Sequence, residues 1–325
     1  MKGQEFSYIE RYFRPLITGD MYGGRDDAAM VSGLSGTMAV ATDSIIEGVH
    51  FSSSLSAEGI ARKALRVNLS DMAAMGVMAQ HYLVALMVPQ GTPESWFRDF
   101  AEGLATDQKL YGVSLLGGDM AGGSSKIHVA MTMFGMAQAG VLSRSNAQRG
   151  DDVYVSGTLG DAALGLRIDD KDVVSCLSKE DKHMLAMRLH RPSPRMALGQ
   201  MLVGVAHSCI DISDGLVADL THICEESQLG MVISRDSVPL SSPVRKALEE
   251  DESLYHLALC GGDDYELAFT APAHQRETIM GWALEAGAHD ITHIGYVEAR
   301  TEHCVRVVDS DGHPYPCSYH GYRHF

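Results

Sequence analysis

Residues 56–76 constrain this chain most. Ser56 is suited to cap a helix, with Glu58 in the first turn. Ile60, Ala61, Ala64, Leu65, Met72 and Met75 then fall near helical spacing and describe a buried face. The segment ends in Asn68-Leu69-Ser70-Asp71-Met72-Ala73-Ala74-Met75-Gly76, where Asn68 and Asp71, three apart, share one side. A carboxylate on a helix this apolar is costly to bury without a partner. Taken alone, Asp71 fits a solvated position near a helix end equally well. Its meaning depends on what the rest of the chain can bring to it.

With 325 residues, 45% of them hydrophobic, the chain can build two ordinary domains, each with its own core. The net charge of -16 argues against nucleic acid or an anionic membrane as the main partner, because both demand basic patches. An acidic protein can still bind an anionic ligand if divalent cations stand between them. The six cysteines form no C-x-x-C pair, so reduced, mostly buried thiols are expected and a zinc ribbon is not. No apolar h-region follows the first residues and no run is long enough to span a bilayer, which gives a cytoplasmic expectation.

The pattern alternates between helix and strand. A short amphipathic helix is expected over 5–16, with Phe6, Ile9 and Phe13 on one side. Strands are expected over 37–42, with Asp43 just beyond the end, over 81–88, over 114–116 leading into Gly117-Gly118-Asp119, and over 127–134. A helix is expected over 93–111. The polar stretch from Ser143 to Asp151 marks a boundary, giving domains 1–148 and 149–325. Beyond it, a strand at 152–156, a turn at Gly157–Gly160 and a helix from Asp161 precede two helices separated by Arg191-Pro192-Ser193-Pro194-Arg195. Cys209-Ile210-Asp211-Ile212-Ser213-Asp214-Gly215 opens a helix over 216–227, and strands at 231–233, 266–270, 291–297 and 305–308 follow. Both halves are therefore expected to be α/β or α+β layers. Gly117-Gly118-Asp119 also echoes Gly261-Gly262-Asp263, a weak sign of repeated architecture.

Aspartates recur at the ends of these elements: Asp26-Asp27, Asp43, Asp71, Asp119, Asp211, Asp214 and Asp263-Asp264. Any one of them could be a turn or capping residue. Together, with Gly, Ser and Thr around them, they suggest a site at the strand ends, where α/β architectures place ligands. Converging carboxylates repel unless cations bridge them, and hard oxygen donors select Mg²⁺, Ca²⁺ or Mn²⁺. Such ions with phosphate oxygens are the usual furniture of phosphoryl transfer. No Walker A or protein-kinase signature occurs. Gly117-Gly118 could admit a phosphate to backbone N–H groups, and Arg144 could meet its oxygens with two donors or serve only as a solvated linker charge.

In order, these motifs resemble the thiamine-monophosphate kinase family, within the superfamily that includes aminoimidazole ribonucleotide synthetase and selenophosphate synthetase. The resemblance runs from Glu5-Phe6-Ser7 through Asp26-Asp27, Thr42-Asp43, Gly48-Val49-His50-Phe51, the Asn68–Gly76 segment and Arg144-Ser145. It continues through Arg191–Arg195, Asp211–Leu216 and Gly261-Gly262-Asp263-Asp264-Tyr265-Glu266-Leu267 to the tail Gly321-Tyr322-Arg323-His324-Phe325. It implies a two-domain α/β fold, an N-terminal mixed sheet that pairs in a homodimer, a C-terminal α/β sandwich, and ATP-dependent phosphorylation of thiamine monophosphate. It further implies that Asp27, Thr42, Asp43, Asp71, Asp119, Asp211 and Asp214 hold several Mg²⁺ ions, with Asp71, Asp43 and Asp211 central to catalysis. Gly118, Asp119, Arg144 and Ser213 would contact ATP, while His50, Asp263 and Tyr322 would line the thiamine phosphate site.

Three positions depart from the family pattern. Arg25 replaces a usual Gly, Ala41 a usual Ser or Thr, and Asp263 a usual Glu. The rival readings are another ATP-using enzyme of the superfamily and a nucleotide-binding protein without catalysis. Residues 1–35 contain no Cys for selenophosphate chemistry, and the chain ends in Phe325 where a hydrogenase-maturation relative would carry a reactive Cys.

Overall fold

The computed structural model describes residues 29–33, 36–138, 140–168, 175–284 and 290–317. Asp27, Arg25, Tyr322 and the helix expected over 5–16 lie outside the described residues. The first half forms a sheet ordered β1-β2-β5-β3-β4, from β1 (Ala29–Gly33), β2 (Gly36–Ile46), β3 (Met78–Val88), β4 (Ser114–Gly122) and β5 (His128–Met136). All neighbours are antiparallel except β3 and β4. That parallel pair needs a crossover, which the amphipathic helix α2 (Glu94–Tyr111) provides after α1 (Ala57–Ala74) has led into β3.

The expected α1 is present with its cap. Ser56 Oγ accepts the Gly59 N–H at 3.1 Å. Within it only Glu58, Arg62 and Asp71 escape full burial. A helix buried nearly all round must satisfy its polar side chains inside the protein, here Lys63, Arg66, Asn68 and Ser70, and α1 lies between layers. It packs on β2, β5 and α2 of its own half and on α5 (Met196–Leu202) and β7 (Ser208–Asp211) of the other. Leu65, Leu69 and Met72 are fully buried, each contributing roughly 1.5–3 kcal/mol of transfer free energy. Gly199 lets α5 approach closely, since a Cβ there would stand 2.0 Å from the Ala73 carbonyl oxygen.

The second half forms a six-stranded sheet ordered β11-β8-β10-β6-β9-β7, using β6 (Asp151–Ser156), β8 (Leu229–Ser234), β9 (Leu267–Pro272), β10 (Ile291–Ala299) and β11 (Val305–Val308). Its helices are α3 (Asp161–Leu166), α4 (Lys179–His190), α5, α6 (Leu216–Ser227), α7 (Ser242–Glu250), α8 (Tyr255–Cys260) and α9 (Arg276–Leu284). The architecture is mixed α/β in both halves. Among the described residues, no helix is long and apolar enough to cross a membrane.

Two strands run further than their sequence pattern suggests. β2 continues through Asp43 to Ile46 because β5 offers partners throughout, Asp43 opposite Met131 and Ile46 opposite His128. Gly117-Gly118-Asp119 lies within β4 and not in a turn after it, paired to Leu83, Val84 and Ala85. Its echo, Gly261-Gly262-Asp263, lies in a loop after α8, so the two tripeptides are not structurally equivalent.

Candidate active site

Three carboxylates from three elements meet where α1 faces the second half. Asp43 comes from β2, Asp71 from α1 and Asp211 from the end of β7. On β2, Asp43 shares the side of Ala41 and Ile45, both buried in the core beneath α1. Ser70 Oγ donates to Asp211 Oδ2 at 2.7 Å, so adjacent α1 residues address the same β7 carboxylate by hydrogen bond and by charge. Burial first, then the charges of Asp211 and Asp43, push the Asp71 carboxyl well above its ordinary range. Burial also raises Asp211, against the opposing effects of Ser70 and the Arg144 guanidinium. Buried Asp211, Asp71 and the exposed Asp43 beside them form an all-oxygen donor set suited to hard divalent cations.

Asp214 and Asp219 extend this acidic region. Asp219 is buried and accepts the Asp214 and Gly215 N–H groups, both at 3.1 Å, fixing the entry to α6. Ligand atoms of Asp214, Asp219 and His222 lie within 4.8 Å of one another. Burial, followed by Asp214 and Asp211, raises Asp219, and Arg144 opposes the rise. Arg144 therefore stands beside the cluster.

The loop before β9 runs alongside this entry. The Ile212 N–H donates to the Glu266 carbonyl, Tyr265 N–H to Ile212 and Asp263 N–H to Ser213, at 2.8, 2.8 and 2.9 Å. Gly262 is required by this closeness, because a Cβ there would stand 2.1 Å from the Ser213 carbonyl oxygen. Asp263 and Tyr265 both occupy left-handed backbone, at φ 67° and 51°, a strained choice for non-glycine residues that recurs at functional sites. Tyr265 is buried in the core of the first half, with Asp263 beside its phenol. Burial, then the charges of Asp263, Asp43 and Asp211, push its phenol well up, which places it between the acidic cluster and Asp263. Glu266 anchors the loop from behind. It is fully buried, bonded to Arg195 at 2.5 and 2.6 Å, to Arg188 at 2.7 Å and to Ser156 Oγ at 2.5 Å.

His50 follows β2 in a turn where its Nδ1 accepts the Ile46 N–H at 3.0 Å. The neutral ring therefore carries its proton on Nε2. Its carbonyl accepts from Lys63 Nζ at 2.8 Å, and the same ammonium bonds Asp263 Oδ2 at 3.1 Å. His50 and Asp263 are thus brought together.

The remaining candidates stand apart from this group. Thr42 alternates to the other side of β2 from Asp43, where its Oγ1 meets Met131 O and Thr132 Oγ1, so any contact toward the cluster falls to its carbonyl. Gly118 and Asp119 are on the edge strand β4, with Asp119 exposed. Asp119 is level with Ala85, Ala130 and Ser44 across the sheet, about 14 Å from β2 by three strand spacings. Sequence reasoning does not reach Lys63 or Asp219 and assigns no role to Ser70, Tyr265 or Glu266. Lys63 lies in the mixed run Arg62-Lys63-Ala64-Leu65-Arg66, seven residues and two turns before Ser70, and no local pattern there marks it as buried.

Two family models match the chain: AIR synthase related protein, N-terminal domain, over residues 25–137, and AIR synthase related protein, C-terminal domain, over residues 148–308. These place the chain among the two-domain AIR synthase related proteins. Within it, the chain belongs to the thiamine-monophosphate kinase family. It is 36% identical to the thiamine-monophosphate kinase of Escherichia coli (strain K12) over 99% of this chain and 98% of that protein. The solved structure "AaThiL complexed with AMPPCP and TMP" superposes with a TM-score of 0.85 at 31% identity, covering 99% of this chain and 97% of that one. The thiamine-monophosphate kinase of Stenotrophomonas maltophilia K279a gives 0.78 at 37% identity, covering 96% and 98%.

Proposed function

We infer that this chain transfers the terminal phosphoryl group of ATP to thiamine monophosphate, giving thiamine diphosphate and ADP. The observation that carries the reading is the junction on α1. Asp71 belongs to the acidic cluster, and Lys63, which holds the His50 and Asp263 pair, stands about 12 Å back along the helix axis, eight residues at 1.5 Å each. One rigid helix thereby sets the spacing between a phosphate-handling end and an acceptor end. The kinship supports the substrates, since the curated relatives are named for this activity and the superposed complex carries AMPPCP and TMP.

The residues divide the work. Arg144, Ser213 and the Gly118 backbone bind the nucleotide, with Asp119. Asp43, Asp71, Asp211 and Asp214, with Asp27 and the Thr42 carbonyl, would hold the Mg²⁺ ions. When bound, those ions supply charge neutralisation between the two phosphate groups. The acceptor is an anionic phosphate oxygen, so no hydroxyl must be deprotonated, and positioning does most of the catalysis. His50 Nε2–H can donate to the acceptor phosphate, Asp263 can accept from the substrate's polar groups, and Tyr322 can cover the cationic ring.

We read the chain as two domains dividing at 148. It pairs with a second copy through the first sheet, whose β3–β4 edge exposes Leu83, Met87, Leu115, Leu116 and Met120. The six cysteines, none of them in a disulfide, fit a cytoplasmic setting. Incubating the purified chain with ATP, Mg²⁺ and thiamine monophosphate tests the reading, and failure to form thiamine diphosphate would refute it.

A further inference from the structure

Lys63 is a fully buried lysine, one of the largest side chains with no solvent contact in the molecule. An ammonium in that position is costly unless charge and hydrogen bonds compensate it. Its compensation is specific: Nζ donates to the His50 carbonyl at 2.8 Å and to Asp263 Oδ2 at 3.1 Å. The two partners belong to different halves of the molecule, one following β2 and the other preceding β9. Asp263 is otherwise placed by a left-handed backbone and by its N–H, which donates to the Ser213 carbonyl at 2.9 Å. Left-handed backbone at Asp263 and Tyr265 is unfavourable and persists only where surrounding contacts over-determine it. Lys63 supplies such a contact from the rigid core of α1. His190, at the end of α4, sits close enough for its ring to feel both Lys63 and Asp263, and its Nδ1 is buried with no hydrogen-bond partner.

We propose that Lys63 is a positioning residue for the acceptor site: it locks the His50 turn to the Asp263 carboxylate so that both present fixed polar groups to the thiamine phosphate, without itself touching the nucleotide. The proposal rests on the functional reading above. It also gives the short Asp263 side chain a physical role. A lysine reaching out from α1 meets the carboxylate where it stands, so the aspartate need not extend further to be held.

The test is steady-state kinetics on the full chain with both substrates varied, beginning with the unaltered protein. Product formation there supports the kinase reading independently of Lys63. Lys63→Met keeps length and removes charge. Its kcat/KM for thiamine monophosphate is expected to fall about 10- to 100-fold, chiefly through KM. The KM for ATP should stay within about twofold, because a positioning defect confined to the acceptor site spares uniform nucleotide binding. Thermal unfolding of Lys63→Met, Asp263→Asn and the double variant gives a second readout that needs no activity. The double variant should be more stable than Asp263→Asn, because it no longer buries an ammonium without its carboxylate partner, yet it should not recover the KM. Equal rises in both KM values, an unchanged KM for thiamine monophosphate, or strictly additive thermal effects would each overturn the proposal.

Discussion

Glu266→Gln tests how the site loop is held. Glu266 is fully buried and faces two guanidinium groups, Arg195 at 2.5 Å and Arg188 at 2.7 Å. Breaking a buried pair by removing one partner costs on the order of 3–5 kcal/mol. Both arginines keep some solvent contact, 21% and 18% exposed, so the lower end, about 3 kcal/mol, is the better expectation. For a cooperative unit of this size that corresponds to a fall in Tm of about 6–12 °C. The pH dependence has a definite sign. Burial alone would raise the Glu266 carboxyl, but the Arg195 hydrogen bond and charge, then Arg188 and Ser156, bring it below its ordinary value of 4.5. A carboxyl lowered on folding contributes stability that is present above its unfolded pKa and lost as pH falls through its folded pKa. The gap between wild type and Glu266→Gln should therefore be full at pH 7.5 and shrink as pH falls below about 4.5. Calorimetric or fluorescence melts across pH 3.5–7.5 read this directly. A gap under about 2 °C at neutral pH, or one that does not shrink in acid, would refute the buried-pair reasoning.

Further outcomes follow from the same geometry. Asp71→Asn should cut turnover by on the order of a hundredfold or more while leaving the melt intact; near-normal turnover at saturating Mg²⁺ would show that Asp71 is not a metal ligand. Gly262→Ala should abolish most activity, because its Cβ would stand 2.1 Å from the Ser213 carbonyl oxygen and force apart the strand entry and the site loop; unchanged kinetics would show that this contact is not needed. Placing glutamates at Leu116 and Met120 on the exposed β4 edge should turn a dimer into a monomer in analytical ultracentrifugation, and an unchanged sedimentation coefficient would exclude this face as the interface.

The sequence announced the parts of the fold that local chemistry decides. Ser56 caps α1 where the capping rule puts it, and the Asp211–Gly215 motif leads from strand to helix. The convergence of Asp43, Asp71 and Asp211 is suggested by the repetition of acidic motifs and by the family resemblance, since no local rule brings distant elements together. What escaped depends on tertiary partners. β2 runs past Asp43 because β5 extends alongside it, and β4 absorbs Gly117-Gly118-Asp119 because β3 pairs with it. The glycines of Gly261-Gly262 suggest a turn centred on them, yet the left-handed residues are Asp263 and Tyr265, and Gly262 instead permits a close approach. Lys63 was hidden because a lysine on a helix ordinarily reaches water. Only the placement of His50 and Asp263 around it shows why this one does not.

The central claim is that α1 joins a phosphate-handling acidic cluster to an acceptor site for thiamine monophosphate. The most direct measurement incubates the purified chain with ATP, Mg²⁺ and thiamine monophosphate and separates the products by anion-exchange chromatography. Thiamine diphosphate should accumulate in equal amount to ADP. Intact nucleotide binding with no thiamine diphosphate formed would contradict the claim.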